Sequence, residues 1–161
     1  MIVADTSALI SLARIDRLEL LLAEFDVSVT ETVVDELDAT SEYDDADGDA
    51  ATAVLEARDR LIVHRVDDEI TSSRIDPGEG TSALLTTRTA AAFLITDDLR
   101  ALPELQTLAD AEVAISPIVL KSLVTRGKLT REEAREDVDR LAAERDWLGA
   151  PIYRRARELF D

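Results

Sequence analysis

The sequence predicts an α/β fold, a three-layer sandwich with a central parallel sheet of four to five strands. Three observations predict it. Short apolar runs of strand length alternate with longer segments of helical spacing, and that alternation means parallel strands covered by helices on both faces. The 161 residues suit one domain, 1–161, and such a chain buries roughly two-thirds of its unfolded surface. Apolar residues make up 46 % and aromatics only 4 %, so the core is aliphatic.

Ile2-Val3-Ala4 is a buried strand that ends in Asp5-Thr6-Ser7 and turns into a helix, with Thr6 or Ser7 available as cap. Ala8, Leu9, Leu12 and Ile15 keep helical spacing, and Leu18 to Phe25 continues as a second turn or helix. Val27 and Val29 alternate in a second strand, and Thr30 to Ala39 is a helix with Val33, Val34 and Leu37 on its apolar side. Eight acids crowd the fifteen residues from Asp35 to Asp49, which reads as a solvated loop or helix end and as a mobile lid. An Ala-rich helix follows from Ala50 to Arg60, then a third strand from Leu61 to Val66. Asp76-Pro77-Gly78-Glu79 is a turn into a helix reaching about Ala92. Phe93-Leu94-Ile95-Thr96 is a fourth strand ending in Asp97-Asp98, and Val113-Ala114-Ile115 a fifth after a short helix from Pro103. The part from about 117 is helical, broken at Gly127, reopened by the Thr130-Arg131-Glu132-Glu133 capping box, and restarted at Pro151.

Composition excludes much. There is no Cys and one His, which removes thiol nucleophiles, Cys/His zinc sites, disulfide scaffolds and most Ser/His triads. No apolar run approaches a membrane span, and the N-terminus lacks the basic flank and cleavage pattern of an export signal, so the expected location is the cytoplasm. Acids outnumber bases 35 to 18, for a formal charge of −17, and all the bases but Lys121 and Lys128 are Arg. That surface suits a salt-loaded, halophilic cytoplasm, where like charge is screened within ~3 Å at molar salt. It disfavours nucleic-acid binding by a basic surface, but not nucleic-acid chemistry run through a bound cation.

Ligands of such sheets sit outside the carboxyl ends of the strands. Asp5 and the pair Asp97-Asp98 each follow an apolar strand directly, where an acid also serves as a plain helix cap. Glu36 borders the buried stripe made by Val33 and Leu37, whereas Asp35 and Asp38 point to water. Glu79 opens its helix, a place the helix dipole favours for any acid. If Asp5, Glu36, Glu79 and Asp97 or Asp98 converge, only a hard cation balances them, and an all-oxygen set suits Mg²⁺ or Mn²⁺. The chemistry such a site supports is metal-assisted phosphodiester hydrolysis.

Val3-Ala4-Asp5-Thr6-Ser7, Thr32-Val33-Val34-Asp35-Glu36-Leu37, Asp76-Pro77-Gly78-Glu79 with Ala83-Leu84-Leu85, and Ile95-Thr96-Asp97-Asp98 together resemble the PIN domains. Within them the likeness is to VapC-type and related small prokaryotic members, and it covers nearly the whole chain. The resemblance implies a nuclease that cuts single-stranded RNA with three or four acids around Mg²⁺ or Mn²⁺. It carries the first acid onto Asp5 and the second onto Glu36. The last falls on Asp98 if the family's Thr-x-Asp is matched from Thr96, or on Asp97 if the alignment slips by one. A hydroxyl that orients a ligand or water falls on Thr6 or Ser7. The chain departs from the family at Ser82, where many relatives carry an acid, and Glu79, one helical turn earlier, is the expected substitute. The resemblance further implies the toxin of a toxin–antitoxin pair, with an antitoxin protein and a homodimer as partners.

Competing readings are weaker. A haloacid-dehalogenase-like phosphatase needs an acid at Ser7, and a receiver domain needs a phosphoacceptor where the third strand runs into His64-Arg65. A PIN fold kept as a binding module, with cleavage weak or lost, remains the alternative. His64 reads as structural or exposed, Trp147 and Tyr153 as packing residues, and Arg154, Arg155 and Arg157 as balancing nearby acids.

Overall fold

The structure, a computed structural model, describes residues 1–68, 70 and 72–161. Five short strands form one parallel sheet: β1 (Ile2–Ala4), β2 (Val27–Thr30), β3 (Ile62–His64), β4 (Phe93–Ile95) and β5 (Glu112–Ala114), in the order β3-β2-β1-β4-β5. The central strand β1 is in register with both neighbours, Ile2 opposite Val27 and Phe93, and Ala4 opposite Ile95. From β1 the chain moves outward through β2 and β3, then returns to the other side of β1 as β4. The strand order therefore reverses between β1 and β4, the place where open parallel sheets bind ligands.

The helices are α1 (Thr6–Arg14), α2 (Leu18–Glu24), α3 (Glu31–Ser41), α4 (Ala46–Glu56), α5 (Pro77–Arg88), α6 (Leu102–Leu108), α7 (Pro117–Thr125), α8 (Arg131–Glu144) and α9 (Pro151–Glu158). Alternation along each strand divides the core between two faces. Val3, Leu94 and Val113 pack with Ala83 and Leu85 of α5 and Leu102 and Leu105 of α6. Ile2, Ala4, Val27, Val29 and Ile95 pack with the apolar residues of α1 to α4 and α7 to α9, including Leu12, Leu37, Val54, Leu120 and Leu141. These are the three layers the alternating sequence predicts, filled by aliphatic residues, with Trp147 buried in the thicker helical layer.

Some boundaries differ for physical reasons. The acidic stretch 35–49 is no lid. Helix α3 runs on to Ser41 and α4 begins at Ala46, capped by Asp45, whose carboxylate accepts from Gly48 N at 2.7 Å. Asp47 is tied to Arg14 at 2.9 Å and Arg145 at 3.0 Å, so much of this charge sits on two helices and part of it is neutralised. The third strand is only Ile62–His64, and α5 stops at Arg88 rather than near Ala92. The Ala-rich run ends at Glu56, followed by a 3₁₀ turn at Arg58–Arg60. Gly127 stops α7 as expected. Its φ is +71°, and the amides of Gly127 and Lys128 bond the carbonyls of Val124 and Leu123, the Schellman pattern that a residue without Cβ adopts easily. Among the described residues, no helix is long and apolar enough to cross a membrane.

Candidate functional site

Asp5 occupies the reversal point. It ends β1, is 2 % exposed, and caps α1, with Oδ1 accepting from Ala8 N at 3.0 Å and from the Ser7 hydroxyl at 2.8 Å. The Ser7 oxygen in turn accepts from the Asp97 amide at 2.9 Å. One hydroxyl thus joins the ends of β1 and β4, and Thr96, fully buried, lies beside it at 3.5 Å. Burial pushes the Asp5 carboxyl up to about 7, against the pull of hydrogen bonds from Thr96, Ala8 and Ser7, and the charge of Asp97 pushes the same way as burial.

The two acids after β4 diverge. Asp97 turns toward the thicker helical layer. Its Oδ1 accepts from Ser116 N, just before α7, at 2.6 Å, while among the described residues its Oδ2 is buried without a partner, as are the hydroxyls of Ser11 and Ser116. Burial raises the Asp97 carboxyl, and the nearby Ser11 and Ser116 groups and the Arg145 charge draw it back. Asp98 faces the α5 side instead. Its Oδ1 accepts from Arg100 N at 2.9 Å, and it lines a cleft of about 330 Å³ together with Asp76 and Glu79. Adjacent residues at a strand end point to opposite faces, so Asp97 and Asp98 serve different surroundings.

The second wall comes from α3 and α5. Glu36 is half-buried, while its neighbours Asp35 and Asp38 are exposed. Its two oxygens are separately held: Oε2 accepts from the Thr6 hydroxyl at 2.5 Å and Oε1 from Gly78 N at 2.9 Å. A Cβ on Gly78 would lie 2.2 Å from Oε2, so glycine there is what lets α5 close on Glu36. Burial raises the Glu36 carboxyl, and the Asp76 charge adds to it.

Glu79 is 4 % exposed and sits in a reciprocal capping box: Asp76 accepts from Glu79 N at 2.8 Å, and Glu79 Oε2 accepts from Asp76 N at 3.0 Å. Burial drives its carboxyl up to about 9; the capping bond from the Asp76 amide pulls it back, while Asp98 and the charge of Asp76 push it the same way as burial. Ser82, one turn deeper on α5, is fully buried and donates to the Gly78 carbonyl at 2.6 Å.

Asp5, Thr6, Ser7 and Thr96 therefore meet at the β1–β4 reversal, with Glu36 joined to them through Thr6, while Glu79 and Asp98 share the adjoining cleft and Asp97 stands on the other side of β4. Sequence reasoning overlooked Asp76 and Gly78 as parts of the site. The signal was present, because Asp-Pro-Gly-Glu is a capping-box pattern with Pro at the first helical position. Ser11 and Ser116 carry no such signal. His64 lies elsewhere, on edge strand β3, within 3.1 Å of the Ser28 hydroxyl. Tyr153 and Arg157 bond Asp139 at 2.6 and 3.3 Å.

The donors of this site are all oxygens, the chemistry that suits Mg²⁺ or Mn²⁺. Among the described residues Asp5 and Glu79 are buried carboxyls without an ion pair, which a cation would return to the charged form. In that sense the residues fit a divalent cation. Among the described residues, however, no three acidic, His or Cys side chains stand as a ready-made group around one point.

The sequence model of one known family, described as a PIN domain, matches residues 1–161. No curated protein matches the chain closely enough to count as a relative.

Proposed function

Because the chain belongs to the PIN-domain family, whose fold is of nuclease type, we propose that it is a Mg²⁺- or Mn²⁺-dependent endoribonuclease hydrolysing single-stranded RNA. The observation that carries this reading is Asp5, a carboxylate buried at the sheet's reversal point without a cationic partner among the described residues. Such a group is costly unless protonated or met by a cation.

Asp5, Glu36, Asp98 and Glu79 are the residues that would hold the cation, with Asp97 the substitute for Asp98. When bound, a divalent cation supplies the positive charge that an in-line attack of water on a phosphodiester requires. The chain's own part is positioning. Ser7 fixes Asp5 and ties it to the Asp97 amide, so that the two strand ends keep one spacing. Thr6 and Gly78 fix both oxygens of Glu36. Thr96, whose hydroxyl also bonds Asp5, accepts from Asp98 N at 3.3 Å and sets the turn that aims Asp98. Holding ligands by outer hydrogen bonds is what keeps a metal site's geometry.

The reading includes a single domain over 1–161, a cytoplasmic, salt-adapted setting, and a toxin's role with an antitoxin and a second copy of the chain as partners. Those parts rest on composition and on the family likeness. A second reading, a PIN fold serving as a binding module, is favoured by two observations: Ser82 replaces an acid, and Glu79 is engaged in the capping box.

The test is cleavage of a labelled single-stranded RNA by the wild type and by Asp5→Asn, with Mn²⁺ or EDTA, at low and molar KCl. The expected result is cleavage by the wild type alone, only with metal, and undiminished at molar KCl. No cleavage by the folded wild type, together with no Mn²⁺ binding dependent on Asp5, would establish the binding module instead.

A further inference from the structure

The cleft beside the candidate metal ligands has two walls, and each carries an exposed arginine two residues from an acid of the site. Arg74 precedes Asp76 at the opening of α5, and Arg100 follows Asp98 after β4; both line the same space of about 330 Å³ as Asp76, Glu79 and Asp98. The backbone holds these positions. The Arg74 amide bonds the Ser72 hydroxyl at 3.2 Å, and that hydroxyl donates to Glu104 at 2.7 Å. The Arg100 amide bonds Asp98 Oδ1 at 2.9 Å.

On a chain of charge −17, most arginines of known contact are spent on acids. Arg14, Arg17, Arg60, Arg65, Arg88 and Arg140 are examples, each within 2.5–3.1 Å of a carboxylate. Among the described residues Arg74 and Arg100, like Arg58, Arg154 and Arg155, are not within ion-pair distance of a carboxylate, and of these five it is Arg74 and Arg100 that line this cleft, with three acids beside them. Both arginines are exposed on the walls of the cleft, and a guanidinium presents a planar fork that matches phosphate oxygens.

From this placement, and resting on the ribonuclease reading above, we infer that Arg74 and Arg100 form a two-sided clamp for the RNA backbone, each taking a phosphate flanking the one to be cut. The clamp answers a problem the net charge creates. RNA approaching an acidic surface is repelled, and two cations on the walls of the acidic cleft offset that repulsion where the strand must lie.

The test measures binding of a short fluorescent single-stranded RNA by anisotropy in EDTA, across a KCl series, for the wild type, Arg74→Gln, Arg100→Gln and the double variant. Arg88→Gln, which removes an arginine paired with Asp68, is the control. Each clamp variant is expected to bind about fivefold more weakly, and its salt slope to fall by about 0.7 per lost phosphate contact. In Mn²⁺ the same variants raise KM for cleavage and leave kcat within about twofold. A double variant with the wild-type affinity and slope overturns the clamp while leaving the nuclease reading intact. Equal weakening in Arg88→Gln shows only bulk charge and also overturns it. A wild type that binds no RNA with or without Mn²⁺ overturns the clamp and the ribonuclease reading together.

Discussion

Asp5→Asn should stabilise the metal-free protein while removing the candidate activity. In the folded chain the Asp5 carboxyl titrates near 7 instead of 3.8, chiefly because burial disfavours its charge. Below about pH 4 both folded and unfolded chains hold the proton, and the shift costs nothing. As pH rises from there toward 7, the unfolded chain releases its proton while the folded chain keeps it, so stability falls throughout that window. Above 7 the whole cost is present, roughly 4 kcal/mol for a shift of this size. Asparagine removes the charge and keeps what the structure uses, an oxygen that accepts from Ala8 N and Ser7 and caps α1 about as well. Urea unfolding followed by circular dichroism in EDTA reads this directly. Near pH 8 the variant should be more stable by up to about 4 kcal/mol, and near pH 4 the difference should vanish. Mn²⁺ should narrow the gap near pH 8 by stabilising the wild type alone. An asparagine variant no more stable than the wild type near pH 8, with the same difference near pH 4, would refute the assignment of a buried, unmatched charge to Asp5.

Two further substitutions probe the opposite wall. Gly78→Ala places a Cβ 2.2 Å from Glu36 Oε2, which must displace that carboxylate. The expected loss is about 1–3 kcal/mol of stability and on the order of a hundredfold in cleavage, read by thermal melts and single-turnover assays. Ser82→Asp restores the acid common among relatives but buries it where the serine is fully enclosed. It should lower the melting temperature by several degrees and give no gain in cleavage; a variant that melts like the wild type and cuts faster would show that Glu79 is not the substitute.

The fold was legible because its strands announce themselves. Ile2-Val3-Ala4 and Phe93-Leu94-Ile95 are apolar on both faces, as strands covered by helices on both sides must be. Element ends were less legible. The stretch 35–49 reads as a solvated loop or helix end, and as a lid, because eight acids occupy it; it holds the end of α3 and the start of α4, since helices tolerate acids on an outer face, and Asp47 finds Arg14 and Arg145 from distant parts of the chain. Such pairings follow from tertiary packing, which no local pattern encodes.

For the site, sequence supplied positions but not directions. Asp97 and Asp98 are equivalent when read along the chain, since both follow an apolar strand. Their difference is the two-residue alternation of a strand carried one step past its end. Asp97 falls on the side of Ser11 and Ser116, and Asp98 on the side of Glu79. The same logic bears on the proposed role of Glu79, rather than an acid at Ser82, on α5. The first turn of α5 is brought to the carboxyl edge by the contact between Gly78 N and Glu36, while Ser82 is one turn further in and wholly buried. An acid in that first turn can reach the cleft that Asp98 lines. One at Ser82 would have to draw a cation into the core or remain protonated. In the proposed site, therefore, the placement of one glycine contact, rather than the count of acids, favours Glu79 over position 82.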